Sequence, residues 1–316
     1  MGDRAKVRYY FLEGWAVDGR YSLAPAMMSQ WRRAYVLWGG PGSGKATLIK
    51  MIGLELQDRG YEIDFWRSAL DPDTTAGFWL HPYGIVLLNP LEMSPLPWQA
   101  PGLIERFIDF TQFCNLRKLQ SRRRAILDSL VKQKQWETKL IELITHQYYD
   151  PYIRTKPADP LLHLIMEEQR VLGSVRQYYW QGVTEEGWLN LAPHFLSECD
   201  QICLPEKDAM AELREIILEV RLLGQAVDYV YHPLNPGHLI GIVLPERHLA
   251  IWQGDPRNLE DLGMQADLHP QTREAIAAWK MERRNTKTLF IETMDFAQID
   301  AYRAQLLQQI IREIEQ

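Results

Sequence analysis

The stretch Gly39-Gly40-Pro41-Gly42-Ser43-Gly44-Lys45-Ala46-Thr47 joins an apolar run, Ala34-Tyr35-Val36-Leu37-Trp38, to a helical pattern of Leu48, Ile49, Ile52, Leu54 and Leu56. Strand, glycine-rich loop and helix in that order are the context a phosphate-binding loop requires. Glycines let backbone N–H groups converge on an anion with no side chain in the way. The helix that follows adds its positive end. Gly39, Gly44 and Lys45 meet the G-x-x-x-x-G-K pattern, and Lys45 places a mobile cation on the β- and γ-phosphates. The residue after the lysine is Ala46, where most such loops carry the hydroxyl that touches Mg²⁺.

The loop resembles that of adenylate kinases, which read G-G-P-G-S-G-K-G-T and also lack that hydroxyl. The resemblance implies that Thr47 offers its N–H and hydroxyl to the α-phosphate. Gly40, Pro41, Gly42, Ser43, Gly44, Lys45, Ala46 and Thr47 are the expected nucleotide-binding residues, with ATP or another NTP as the ligand.

With 316 residues, two domains are expected. A net charge of −6 argues against nucleic acid as the main partner. Cys114, Cys199 and Cys203 are too few for a disulfide framework, and no second pair completes a zinc site, so they are expected as buried small apolar residues. No signal-like apolar segment opens the chain and no apolar run approaches membrane-spanning length, so a cytoplasmic protein without a membrane partner is expected.

Val7 to Phe11 reads as a strand, Ala26 to Trp31 as a short helix, Tyr61 to Trp66 as a strand, and Gly84 to Leu88 as a buried parallel strand. From about 102 to 148 the apolar spacing turns helical, beginning with Ile104, Phe107 and Ile108. This extension carries Arg117, Lys118, Arg122, Arg123, Arg124, Lys132 and Lys134, read as a solvated face with acidic partners or as a basic arm reaching phosphate or RNA. Tyr149 to Pro160 reads as a linker. Ile299 to Ile314 reads as a terminal amphipathic helix that packs on its own chain or on another copy.

The chain then repeats itself. Gly182 falls on Gly14, Gly187 on Gly19, and Leu191-Ala192-Pro193 on Leu23-Ala24-Pro25. At a constant offset of 164, Gly224, Asp228, Leu234, Pro236, Gly241 and Leu244 match Gly60, Asp64, Leu70, Pro72, Gly77 and Leu80. The second half is expected to be a degenerate copy. Its loop region, Cys203-Leu204-Pro205-Glu206-Lys207-Asp208-Ala209, has no glycine and two acidic residues, so it is expected to bind no nucleotide in this way.

These features resemble a little-characterised family of duplicated P-loop proteins described as ATPases or nucleotide kinases. The resemblance is specific at Gly40 to Lys45, at Asp71-Pro72-Asp73 and at Gly77. It implies an α/β, P-loop NTPase-like fold of two tandem, mostly parallel-sheet halves, 1–156 and 157–316, with helical extensions. Where the family carries Ser after the lysine this chain has Ala46, and where it ends a strand with Asp it has Asn89. Asn89 brings an amide oxygen towards Mg²⁺ but no charge. The nearby carboxylates are Asp71, Asp73 and Glu92; Asp71 and Asp73 align with Asn235 and Gly237 in the second copy. Lys45, Asp71 and Asp73 are therefore the expected catalytic residues, and Asp71 and Asn89 the expected Mg²⁺ site.

Three functions fit. One is nucleotide binding with slow, Mg²⁺-dependent hydrolysis. Another is a nucleotide or small-molecule kinase, with Arg122 to Arg124 as a phosphate-clamping lid. The third is a non-catalytic pseudo-ATPase that binds a protein partner or its own copies.

Overall fold

The computed structural model describes residues 5–16, 19–69, 71–147, 174–205, 209–254, 257 and 267–316. The expected linker, the 156/157 boundary, Leu70 of the repeat, and Glu206, Lys207 and Asp208 lie outside the described residues.

In chain order the first strands are β1 (Val7–Phe11), β2 (Glu13–Ala16) and β3 (Gly19–Ser22), followed by the short helix α1 (Ala24–Met27). Strand β4 (Arg33–Trp38), helix α2 (Lys45–Gln57), β5 (Ile63–Arg67), β6 (Thr75–Leu80), β7 (Ile85–Leu88) and β8 (Glu105–Asp109) come next. Helices α3 (Leu116–Ser121) and α4 (Arg123–Gln147) close the first half. The second half holds β9 (Val175–Tyr178), β10 (Gln181–Thr184), β11 (Gly187–Asn190), α5 (Ala192–Leu196), β12 (Asp200–Leu204), α6 (Ala209–Leu222), β13 (Val227–His232), β14 (Asn235–Leu244) and β15 (Leu249–Gln253). Two long helices, α7 (Pro270–Ile291) and α8 (Phe296–Ile314), end it. Among the described residues no helix is long and apolar enough to cross a membrane.

The fold is α/β. The chain forms two compact units, and neither is a contiguous half. Unit 1 gathers residues 1–9, 28–140 and 274–316; unit 2 gathers 10–27 and 141–273. Residues 10–27 and 141–147 of the first expected half cluster with unit 2, and 274–316 of the second with unit 1.

Unit 1 is built on a six-stranded sheet in the order β1-β5-β6-β7-β4-β8. Strand β4 pairs in parallel with both β7 and β8, while β6 runs antiparallel to β5 and β7. Ala34 to Leu37 and all of β7 are buried, as expected of strands covered on both faces. Helix α2 lays Leu48, Ile49, Ile52 and Leu56 on the sheet, at helical spacing. Gly53 brings its backbone against the Phe65 ring, where a Cβ would lie 2.4 Å away. Helix α8 completes this core with Ile299, Leu306, Leu307 and Ile310. Its expected amphipathic face therefore packs on its own chain. Asp295 caps it, accepting a hydrogen bond from the Gln298 N–H at 3.1 Å.

One expected element is different in kind. Residues 105–109 form strand β8, whereas the Ile104, Phe107 and Ile108 spacing predicts helix. Three apolar residues fit either period in so short a window. The open edge of β4 decides, since its backbone groups find partners only in another strand. Buried Glu105 fixes the entry to β8 by accepting from the N–H groups of Gln99 and Ala100, both at 2.9 Å.

Unit 2 has a five-stranded sheet in the order β12-β15-β14-β13-β9. Taken from its other edge this is β9-β13-β14-β15-β12, the sequence of positions that β1-β5-β6-β7-β4 occupy in unit 1. The middle strand, β14, again runs against its neighbours. Each sheet also holds an ion pair at the matching place: Arg8, partly buried, with Asp64 at 3.1 Å, and Arg176, buried, with Asp228 at 3.2 Å. Within unit 2, Phe11 and Tyr179 exchange both backbone hydrogen bonds, at 3.0 and 2.9 Å. Gly14 lies under the Tyr179 ring and Gly182 under the Phe11 ring.

The cysteines do not behave as expected: Cys203 is exposed, and Cys114 and Cys199 are half-buried. Trp15, Trp66, Trp79, Trp180 and Trp252 are buried in the core.

Candidate functional site

The site lies within unit 1, where β4 gives way to α2. Parallel β4 and β7 end side by side, so the loops after them meet. Such a carboxyl edge of an open sheet is where α/β folds bind ligands. Gly44 sits at the N-cap of α2 with φ +86° and supplies no side-chain acceptor. The first N–H groups of α2 are therefore left for an outside partner.

Lys45 is buried at 3 % exposure and folds back over its own loop. Its Nζ donates to the carbonyls of Gly39 at 2.9 Å and Gly40 at 2.7 Å, and to Ser43 Oγ at 3.0 Å. Ser43 Oγ in turn donates to the Gly40 carbonyl at 2.9 Å. Burial pulls the Lys45 amine down to about 8; Glu92 works against this, while Arg283 and Lys287 add to it.

A cavity of about 330 Å³ opens in front of the loop. Pro41 to Thr47 form one wall, with Thr74, Asn89, Leu91 and Glu92 from the first half, and Arg283, Lys287, Ile291 and Phe296 from the last two helices. Three cations, Lys45, Arg283 and Lys287, face one carboxylate, Glu92. Leu91, Ile291 and Phe296 are each more than two-fifths exposed and form an apolar part of the wall.

Helix α7 is seated directly on the loop. A Cβ on Gly42 would lie 2.4 Å from the Lys287 carbonyl, and one on Gly40 would lie 2.0 Å from the Phe290 ring. Gly42 also has φ +75°. These two glycines are thus required by the packing of α7 as well as by any phosphate. Helix α7 is held from behind by α4: Ser129 Oγ lies 2.8 Å from Thr286 Oγ1 and donates to the Glu282 carbonyl at 3.0 Å.

The expected acidic residues separate. Asp73 is exposed and is not part of the cavity wall. Asp71 lies behind the wall, accepting from Thr74 Oγ1 at 2.7 Å, with Lys287 Nζ at 3.4 Å and Arg283 Nε at 3.7 Å. Burial pushes its carboxyl up, but the Thr74 hydrogen bond and the Lys287, Arg283 and Lys280 charges outweigh that and hold it below the usual range. Asn89 caps the turn Pro90–Glu92, its Oδ1 accepting from the Leu91 N–H at 3.3 Å and its Nδ2 donating to Glu92 Oε1 at 3.4 Å. Glu92 is 5 % exposed and ion-paired with Arg283. Among the described residues no cluster of three metal-ligating side chains occurs.

The arginines expected as a lid lie elsewhere. Arg122 pairs with Glu292 and donates to the Leu289 carbonyl, and Arg124 pairs with Asp128. Lys132 pairs with Glu282. None of them lines the cavity. Arg283 and Lys287 were not legible as site residues, being some 240 positions from the loop in sequence. Their four-residue spacing was the only local sign, and many solvated helix faces share it.

No protein-family model, curated protein or solved structure matches this chain.

Proposed function

We propose that unit 1 binds a nucleoside triphosphate, ATP with Mg²⁺, at the Lys45 loop and hydrolyses it slowly. The observation that carries this is the lysine. A buried ammonium held by its own loop carbonyls and Ser43 Oγ, beside a helix start with no side-chain cap, is a place suited to an added anion. Phosphate oxygens would accept from the α2 N–H groups and draw Lys45 off the carbonyls. The apolar part of the wall, Leu91, Ile291 and Phe296, suits a nucleobase better than a bare polyphosphate.

Slow turnover follows from the groups already committed. Ala46 has no hydroxyl for Mg²⁺. The Asn89 oxygen is used by the Leu91 N–H, and Glu92 is tied to Arg283. Glu92 is the carboxylate on the cavity wall, so it replaces Asp71 and Asp73 as the group that would orient metal or water.

We read unit 2 as the degenerate partner of a duplication. The matching strand order, the paired Arg–Asp bridges and the reciprocal Phe11–Tyr179 contacts support this. Its strand β12 and helix α6 occupy the places of β4 and α2, joined by a loop without glycine.

Adding ATP and Mg²⁺ is expected to raise the melting temperature of the full chain, and Lys45→Ala to abolish the shift. A shift of equal size in the variant overturns the assignment. Binding with no phosphate release at all would favour the pseudo-ATPase reading.

A further inference from the structure

We infer that Arg283 and Lys287 of α7 read the terminal phosphate, so that the site distinguishes a nucleoside triphosphate from a diphosphate. This rests on the phosphate-loop reading above. The two residues lie one helical turn apart, on one face of α7, and both line the cavity. Arg283 is 9 % exposed, and its buried Nε has no hydrogen-bond partner among the described residues. That Nε faces Asp71 Oδ2 at 3.7 Å, beyond hydrogen-bond reach, and a phosphate oxygen would give it a closer acceptor.

Position assigns the terminal phosphate in particular. The helix start and Lys45 belong to the loop after β4. Arg283 instead meets Glu92, in the turn after the neighbouring strand β7. A phosphate chain held at the loop and running across these two strand ends reaches Arg283 last. Without ligand, Asp71 and Glu92 balance the two cations. A terminal phosphate carries more charge than either carboxylate and accepts the planar guanidinium through two oxygens. Arg283 stacks on Trp279, 5.1 Å from the ring centroid, which keeps its plane oriented during such an exchange. The α4 contacts through Ser129 hold the helix itself, so the exchange is one of side chains. The same exchange releases Glu92 from its ion pair, making that carboxylate available only when a triphosphate is present.

Titration of ATP and ADP into the full chain by calorimetry tests this. The wild type is expected to bind ATP about tenfold or more tightly than ADP, the worth of one charged hydrogen bond or more. Arg283→Gln is expected to bring the ratio close to one, and Lys287→Gln to reduce it in the same direction. Lys45→Ala is expected to lose both ligands. A ratio that survives in both Arg283→Gln and Lys287→Gln overturns the inference while leaving the loop reading intact. So does an equal loss of ATP and ADP affinity in both variants. If Arg283→Gln does not fold, Lys287→Gln decides alone, since Lys287 is partly exposed. A wild type that binds neither nucleotide overturns both readings.

Discussion

Lys45 carries opposite consequences for stability and for binding. Its folded-state value of about 8 lies below the ordinary lysine value of 10.5. Between the two the unfolded chain binds the extra proton, so the ligand-free protein should gain stability as pH rises through that window. The gain approaches the full shift, on the order of 3 kcal/mol. Nucleotide affinity should do the reverse. A phosphate needs the ammonium form, so above about pH 8 binding must take up a proton and should weaken with each further unit. Calorimetry at pH 8.5 in buffers of different ionisation enthalpy should show proton uptake; its absence would remove Lys45 from the phosphate contacts. At this scale the sequence revealed Lys45 through its local glycine context, because the loop is contiguous. It did not tell which of the nearby carboxylates lines the cavity. Asp71 and Asp73 look equivalent beside Pro72, yet one is enclosed by Arg283 and Lys287 and the other faces solvent. Glu92 reaches the wall because Asn89 caps the turn that carries it, a contact no spacing rule marks.

Elements show where local pattern suffices. Strand β4 and helix α2 were legible because an apolar run, a glycine loop and a helical spacing are all local. Strand β8 was not, since only the free edge of β4 makes those residues a strand. The aligned aspartates were legible in the sequence, but their arginine partners were not. Asp64 and Asp228 align in sequence, and each holds an arginine of an adjacent strand. Asp228 accepts from Arg176 Nη1 and from Tyr178 OH, both at 3.2 Å, and all three side chains are buried. Asp228→Ala removes the buried acceptor that Arg176 Nη1 and the Tyr178 hydroxyl share. It should cost about 3–5 kcal/mol in urea denaturation. A loss below about 1 kcal/mol, the range of an exposed pair, would show that solvent reaches the bridge.

For the whole molecule, the two units are not two lengths of chain. Residues 1–156 lack α7 and α8, and with them Ile299, Leu306, Leu307 and Ile310 of the unit 1 core. That fragment should therefore not fold cooperatively by itself, and adding 157–316 in trans should restore a single sharp transition by circular dichroism. A cooperative melt of 1–156 alone would contradict the division into interleaved units. Composition and repeat length could not reveal this exchange, because apolar spacing marks a buried helix face without naming the sheet it covers. The seat of α7 on Gly40 and Gly42 also sets an order of events during synthesis. Lys45 leaves the ribosome 242 residues before Lys287. At roughly 5–20 residues per second this is a wait of some 10–50 s. Through that interval the nascent Lys45 loop lacks the helix it packs against, and the apolar faces of α2 and the sheet await α8. On the proposed function, nucleotide would meet this half-built site before Arg283 exists. The triphosphate preference proposed for the finished protein is therefore a property that the nascent chain acquires only with its last helices.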